Sequence, residues 1–513
     1  MRIVIDVDRR NLRRFHRLLR DRLARKFPGA GVALRLVDGE KPLPGLDLLL
    51  GLERMIRRPA GEALSDPVPA GTIGEPAAET PDLLLDLSGR AGPSRTPATT
   101  LRPLYDGEGS EAAMIGALCE GRGPEIAIEN RTTGQIVCKG TPSLEAPEGL
   151  SGGIDAVYSR MMMLLGQAIE SPEKSAPRGA PARVDAAGLA LLRYGARSRA
   201  VAIARRLYHL CCHAPHWRIG WRSHLGPGVL ERRDLGGPRW NVLGDPGGRF
   251  FADPFPMTRD GRSFLFFEDF DHRLGKGAIS TVEFGPRGPI GAVIPVLAEP
   301  WHLSYPFLIE AEGALWMVPE ASRSGRILLY RCIEFPSRWE RSATLVEGVE
   351  AADSTIFRHE GMFYMMSALR EDIGGFSDTL AIHWAPRLSG PWREHAARPA
   401  LIEATGARPA GAVTRRGGAP WRPVQDCAVG YGRALRLARI DRLDPDHFAQ
   451  TLSAPIGSGA FWPGGRLHTL NRAGMLEVID GIAINPKLAS LRGLFRDQPT
   501  RPEDGRLGEG APA

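Results

Sequence analysis

Four segments of this 513-residue chain can be laid over one another. ADPFPMTRDGRSFLFFED starts at Ala252, SYPFLIEAEGALWMVPEA at Ser304, ADSTIFRHEGMFYMMSAL at Ala352 and ARPAGAVTRRGGAPWRPVQD at Ala407. Each reads as an apolar strand, a Gly-centred turn and an aromatic-rich second strand. A weaker fifth copy, GGRLHTLNRAGMLEVIDG, starts at Gly464, and successive starts lie 48 to 57 residues apart. A four-stranded blade needs a segment of about that length, so five copies predict an all-β five-bladed propeller. The stretch Trp217-Arg-Ile-Gly-Trp-Arg precedes the first copy and is expected to help close the ring.

Composition agrees. Gly 61 and Pro 43 make up about a fifth of the chain, which implies frequent turns and many short strands. No apolar run approaches the roughly 18 residues of a membrane span, so none is expected. The start, MRIVIDVDRRNLRRF, does not read as a signal peptide, because acids interrupt its short apolar run and the basic cluster follows it. The six cysteines form no C-x-x-C pair and read as reduced thiols of a cytoplasmic chain. The net charge of +7 rests on 60 arginines against six lysines, the bias of a GC-rich bacterial genome. With 59 acidic residues diluting it, it does not argue for a nucleic-acid partner.

Ahead of the propeller, residues 1–171 alternate strands and helices. MRIVID and Val32-Ala-Leu-Arg-Leu-Val read as strands, as do Asp82-Leu-Leu-Leu-Asp-Leu and Glu125-Ile-Ala-Ile-Glu. Helices are expected over 11–27 and 155–169. The pattern predicts an α/β Rossmann-like domain with a parallel sheet. A linker and basic helix follow over 172–214, then the propeller over 215–485 and a C-terminal tail over 486–513, disordered near its end. The helix at 185–212 carries Arg193, Arg197, Arg199, Arg205 and Arg206 among apolar residues. It reads either as an interdomain helix with its arginines in water or as a peripheral contact with the inner membrane.

The repeat places polar residues at fixed phase in otherwise apolar inner strands. Asp253, Tyr305, Asp353 and Arg408 begin those strands. Fifteen residues after the first two come Glu268 and Glu320, and Gln425 follows at nearly the same phase in the fourth copy. Inner strands converge on the channel, so these side chains are expected to line one funnel. Carboxylates, an arginine and aromatic walls suit a sugar, because acids serve as general acid and base and aromatics stack on pyranose faces. The plainer alternative is that the acids pair with Arg408 and Arg422 merely to satisfy the channel. Asp269 and Asp271 are expected at the solvated rim. Arg422-Pro-Val-Gln-Asp-Cys and His468-Thr-Leu-Asn add Arg422, Gln425, Asp426 and His468 as candidate substrate contacts. No spacing suggests a metal site, no P-loop or G-x-S-x-G is present, and no cofactor is expected.

Ala252-Asp-Pro-Phe, Val318-Pro-Glu-Ala, Asp353-Ser-Thr-Ile-Phe, Arg422-Pro-Val-Gln-Asp-Cys and His468-Thr-Leu-Asn together resemble the N-terminal domain of plant glucosamine inositolphosphorylceramide transferases. More distantly they resemble five-bladed family 43 glycoside hydrolases. The second resemblance implies Asp253 as a catalytic base. That family's second Asp position is Tyr305 here, and its general-acid Glu-Gly-Pro reads Ala352-Asp353-Ser354. The plant enzymes carry a separate glycosyltransferase domain, and no stretch of that length follows Asn485. The first 171 residues resemble a formyltransferase-type domain by topology, without that family's Asn, His and Asp triad, so the domain is expected to have lost formyl transfer or never to have had it.

The expectation is a glycan- or glycolipid-modifying transferase of envelope polysaccharide synthesis, acting on a sugar or sugar phosphate in the propeller channel. Asp253 would be the base, with Asp353 and Glu320 tuning it or donating protons. Glu268, Arg408, Arg422, Gln425, Asp426 and His468 would hold the substrate. A family 43-type hydrolase and a non-catalytic glycan-binding module are the alternatives.

Overall fold

The computed structural model describes residues 1–488 apart from short breaks, the longest at 72–79, 91–97 and 177–186. The terminal tail expected to be disordered (503–513) lies outside the described residues, as does most of the expected linker. No helix among the described residues is long and apolar enough to cross a membrane.

The first unit is one mixed sheet with helices against it. Its elements are β1 (Arg2–Asp8), α1 (Arg14–Lys26), β2 (Gly31–Val37), α2 (Leu46–Arg57), β3 (Leu83–Leu87) and β4 (Thr99–Tyr105). Then come α3 (Glu111–Cys119), β5 (Ile126–Asn130), β6 (Gln135–Gly140) and α4 (Gly149–Glu170). The sheet order is β2-β1-β3-β4-β5-β6, parallel through β4 and antiparallel beyond. The expected parallel sheet is therefore only its first part. Its last pair, β5–β6, is antiparallel because Asn130-Arg-Thr-Thr-Gly makes a hairpin. There the Gly134 N–H donates to the Asn130 carbonyl at 2.7 Å, and Asn130 Oδ1 accepts the Thr132 N–H at 3.0 Å. Helix α4 starts six residues earlier than expected, and Met161, Met162 and Met163 are buried core residues.

Five sheets follow around a ring. Blade one is Arg249–Arg259, Arg262–Asp271, Lys276–Gly285 and Gly288–Leu297. Blade two is Ser304–Ala311, Ala314–Glu320, Arg326–Glu334 and Arg338–Glu347. Blade three runs from Ala351–His359 through Met362–Leu369 and Thr379–Ala385, which pairs with both Arg393–Glu394 and Leu401–Ile402. Blade four comprises Thr414–Arg416, Ala419–Asp426, Ala434–Leu443 and Phe448–Leu452. Blade five joins Leu470–Ala473 and Leu476–Ile482 to Trp217–Ser223 and Asn241–Val242, so strands from before blade one close the ring.

Two local devices make the blades alike. The first hairpin of blades one to three turns through Asp260-Gly261, Glu312-Gly313 and Glu360-Gly361, all at positive φ. Two consecutive positive φ values are the type I′ geometry whose twist suits a tight hairpin, and glycine carries the second without strain. The second device is a bulge in the innermost strand, between Ala252 and Phe255, Ser304 and Phe307, and Ala352 and Thr355. At each bulge one residue is left-handed: Asp253 (φ 51°), Tyr305 (φ 43°) and Asp353 (φ 53°). These are non-glycine residues held against their backbone preference.

The two units are bolted together. After β6 the chain continues along blade three, where Thr141 donates to the Ile402 carbonyl at 3.0 Å and accepts from the Ala404 N–H at 3.0 Å. Arg160 of α4 grips Asp378 through two bonds of 2.7 and 3.0 Å, with side chains 1% and 3% exposed. Asp378 also accepts the Ser143 N–H at 2.8 Å. Removing one partner of such a pair leaves a buried charge unmatched, at about 3–5 kcal/mol. Arg160→Ala is therefore expected to lower unfolding free energy by about 3 kcal/mol or more in denaturant titration. An effect below about 1 kcal/mol would show that the bolt contributes little.

Candidate active site

The left-handed bulges turn Asp253 and Asp353 into the propeller axis, where both are buried. Asp253 Oδ1 accepts from Thr469 Oγ1 at 2.9 Å and lies 3.2 Å from His468 Nε2. Its Oδ2 accepts the Tyr305 N–H at 3.2 Å, and its own N–H donates to Asp480 Oδ2 at 2.8 Å. His468 Nδ1 lies 2.6 Å from Asp480 Oδ1, which also accepts the Thr469 N–H at 2.9 Å. The Trp217 ring stacks on the imidazole at 4.1 Å and the Tyr431 ring meets it edge-on at 5.4 Å.

Blades one and five thus meet in a carboxylate–imidazole–carboxylate chain. Burial by itself would strip the proton from His468, but Asp480 and Asp253 outweigh it and push the imidazolium up to about 10. Burial likewise presses Asp253 upward, yet the His468 charge and the Thr469 hydroxyl hold its carboxyl below the ordinary range. Asp480 sits above it, because burial there exceeds the help from His468.

Blades two to four supply the other half. Asp353 Oδ2 accepts from Arg408 Nε at 2.6 Å and from Gln425 Nε2 at 2.9 Å. Burial pushes Asp353 up to about 7, with Arg408 opposing and the Glu320 and Asp253 charges adding to the rise. Burial also raises Glu320, against Arg408, and lifts Glu268 well above the carboxylate range with the help of Asp253. Ser322 Oγ donates to Glu320 Oε1 at 3.0 Å, and His302 Nε2 stands 3.5 Å from Glu268 Oε1. The Arg408 guanidinium lies 4.6 Å over the Tyr431 ring. Five acids, Asp253, Glu268, Glu320, Asp353 and Asp480, converge here around Arg408 and His468, with His302 beside Glu268.

The expected residues divide cleanly. Asp253, Asp353, Glu320, Glu268, Arg408, Gln425 and His468 come together. Arg422 does not: it donates to the carbonyls of Gly406 (2.6 Å) and Ala407 (3.2 Å) and to Gln450 Oε1 (3.0 Å), bracing a loop of blade four. Asp426 is turned away too, accepting from Arg436 Nε at 2.9 Å. Both lie on a strand whose Gln425 faces the axis, and neighbouring side chains on a strand point to opposite faces. Asp269, expected at the rim, is buried between Arg249 and Ser280. Arg408 stands one register before the bulge position, because it pairs directly with Gln425.

Two members escaped the sequence reading. Asp480 lies sixteen residues into the fifth copy, the offset of Glu268 and Glu320 in theirs, so the repeat itself carried the signal. The structure confirms the shared register, with Ala252 opposite Glu268 and Ser304 opposite Glu320. Glu145 had no such signal, because it arrives from the first unit. Its Oε1 lies 3.6 Å from Arg408 Nη1, and its Oε2 accepts from Ser377 Oγ, which sits 3.4 Å from the same Nη1. Among the described residues, Asp253, His468 and Asp480 offer ligand atoms within 4.8 Å of one another and could hold a metal ion. Both imidazole nitrogens already serve the two carboxylates, so a cation would have to displace the proton that those acids hold on His468.

Residues 243–483 match the family described as glucosamine inositolphosphorylceramide transferase 1, N-terminal. The match begins after the two strands Trp217–Ser223 and Asn241–Val242 that complete blade five, and leaves the first unit outside. Glucosamine inositolphosphorylceramide transferase 1 of Oryza sativa subsp. indica is 28% identical over 264 residues, 48% of this chain and 35% of that protein. Its Arabidopsis thaliana counterpart is 28% identical over 278 residues, 51% and 36% of the two chains. The chain thus spans about a third of the length of these curated relatives. Among solved structures, a thermostable family-43 glycoside hydrolase aligns at TM-score 0.33 and 15% identity, covering 42% of this chain and 82% of that one. A family 117 glycoside hydrolase from Zobellia galactanivorans aligns at TM-score 0.33 and 9% identity, covering 52% and 90%. What this chain shares with the N-terminal domain of the plant transferases lies in its propeller.

Proposed function

We propose that the axial site binds the sugar portion of a glycan or glycolipid and serves transfer of a glycosyl group, in a bacterial envelope-polysaccharide setting. One observation carries the reading: converging buried carboxylates are pushed apart in acidity, Asp253 downward and Asp353 up to about 7. Such a split separates a base from an acid at one pH. In the proposed step, Asp253 takes the proton of an attacking hydroxyl while that oxygen bonds to the anomeric carbon. The bond to the leaving oxygen breaks, and Asp353 or Glu320 returns a proton to it. Arg408 and Gln425 fix Asp353.

Asp253, held ionised among further buried carboxyl groups, suits a neutral or amino sugar. The relatives' name, which specifies glucosamine, agrees with that preference. For the first unit, the parallel β2-β1-β3-β4 core is what supports a formyltransferase-like ancestry.

Non-catalytic glycan binding is the second reading. It is favoured by Asp253, whose two oxygens are both already engaged by Thr469, His468 and Tyr305. Hydrolysis of the family 43 kind has less support, since Tyr305 replaces an acid and its hydroxyl is 2.8 Å from Thr355 Oγ1.

A thermal-shift panel of nucleotide sugars, free sugars and inositol phosphates tests the proposal. A nucleotide sugar at about 100 Kd should raise Tm by on the order of 5 °C. The shift should vanish in Asp253→Asn and weaken in the milder Glu320→Gln. A shift of equal size in both variants would place the ligand elsewhere. Turnover of a bound donor, abolished in Asp253→Asn, would separate transfer from mere binding.

The acidity pattern makes a further prediction. His468 has a raised folded value, so its contribution is complete below pH 6.5 and is lost as pH climbs through about 10. Tm should therefore fall across that window. In His468→Gln the fall should flatten, and overall stability should drop by about 3 kcal/mol or more, since two buried acids lose their cation. An unchanged slope would mean that the imidazole is neutral.

A further inference from the structure

Helix α5 (Ala187–Cys211) joins the two units, and its ends differ in character. Near its start Leu191 is buried and Tyr194 rests on the core of the first unit. Beyond Ser198 the helix leaves that support. Val201, Ile203, Leu207 and Leu210 are 56, 61, 57 and 72% exposed. Ile203, Leu207 and Leu210 follow one another at four- and three-residue spacing, so they share one face. Arg199 and Arg206 line one edge of that face, and Arg193, Arg197 and Arg205 add to the helix, which carries no Asp or Glu.

A second segment extends the patch. Cys212 and His213 pair with Asn485 and Pro486, and the Lys487 N–H donates to the Cys211 carbonyl at 2.8 Å. The Lys487 ammonium caps the helix end at the His209 carbonyl, 2.7 Å away. Beside it Ile484 and Leu488 are exposed. The apolar stripe of the helix thus ends next to two more apolar side chains and another cation.

We infer that α5 and residues 484–488 form a docking surface for an anionic lipid membrane. An interfacial helix of this kind buries its apolar face among acyl chains while arginines reach the phosphates, their stems lying along the apolar surface. A second copy of the chain fits poorly. Twofold pairing would set this arginine-rich helix against itself with no acid on it to compensate. The apolar stripe, for its part, goes beyond what an acidic partner needs. The inference is independent of whether the axial site is catalytic.

The test is co-sedimentation of the full chain with vesicles of phosphatidylcholine, with and without phosphatidylglycerol. The protein should pellet with the anionic vesicles, stay in solution with phosphatidylcholine alone, and be released by added salt. Arg199→Glu with Arg206→Glu should weaken partition by at least about tenfold. Ile203→Asp with Leu207→Asp should do the same at unchanged melting temperature, since all four side chains are exposed. Failure of the folded protein to pellet with anionic vesicles at low salt overturns the inference, as does pelleting that neither double variant reduces. So does a dimer in sedimentation velocity that Leu207→Asp dissolves, in protein that ignores vesicles.

Discussion

A protonated imidazole wedged between two buried carboxylates holds this propeller together at its axis. His468 and Asp480 belong to the last blade and Asp253 to the first, so the charge chain crosses the seam where the ring closes. The seam is also where Trp217–Ser223, from before blade one, completes blade five and stacks Trp217 on His468. Sequence neighbours cannot close a ring, and a buried ionic contact between its first and last members is demanding in geometry. The same contact leaves Asp253 ionised, and that ionisation presses on Glu268 and Asp353 around it. Closure and chemistry therefore depend on one arrangement of three side chains.

The blades were legible because their local rules are strict. A type I′ hairpin requires two residues at positive φ, which is why Asp260-Gly261, Glu312-Gly313 and Glu360-Gly361 recur with the period. The bulges kept Asp253, Tyr305 and Asp353 in phase, so most of the axial cluster could be named from spacing alone. Arg422 and Asp426 were misplaced for a reason of equal simplicity. In a strand alternate residues face opposite ways, and a dense polar run cannot all face one site. Asp480 was within reach of the same spacing. Glu145 was not, because nothing in a repeat describes a residue that enters from another unit. The first unit was read less completely. Strands β4 and β6 and helix α3 lack the clear alternation or spacing that marked β1 and α1, and tertiary packing decides such segments. Helix α2, by contrast, sets Leu46, Leu49 and Leu50 at helical spacing against the core and was within reach of the sequence.

The contact between the units reaches the site itself. The chain leaving β6 runs along blade three, is pinned through Ser143 to Asp378, and ends with Glu145 against Ser377 and Arg408. Arg408 is thus gripped on one edge by Asp353 and approached on the other by the first unit. The family match covers the propeller side of this contact and not the first unit. The first unit therefore bears on the charge of Asp353 through the arginine that both touch.

Everything at the axis turns on the charge of His468, and nuclear magnetic resonance of histidine-labelled protein reads that charge directly. The signal that disappears in His468→Gln should keep imidazolium shifts at pH 8, titrating only toward about 10. A His468 signal titrating near 6.5, like an ordinary histidine, would contradict the buried ion chain and the separation of acid from base built on it.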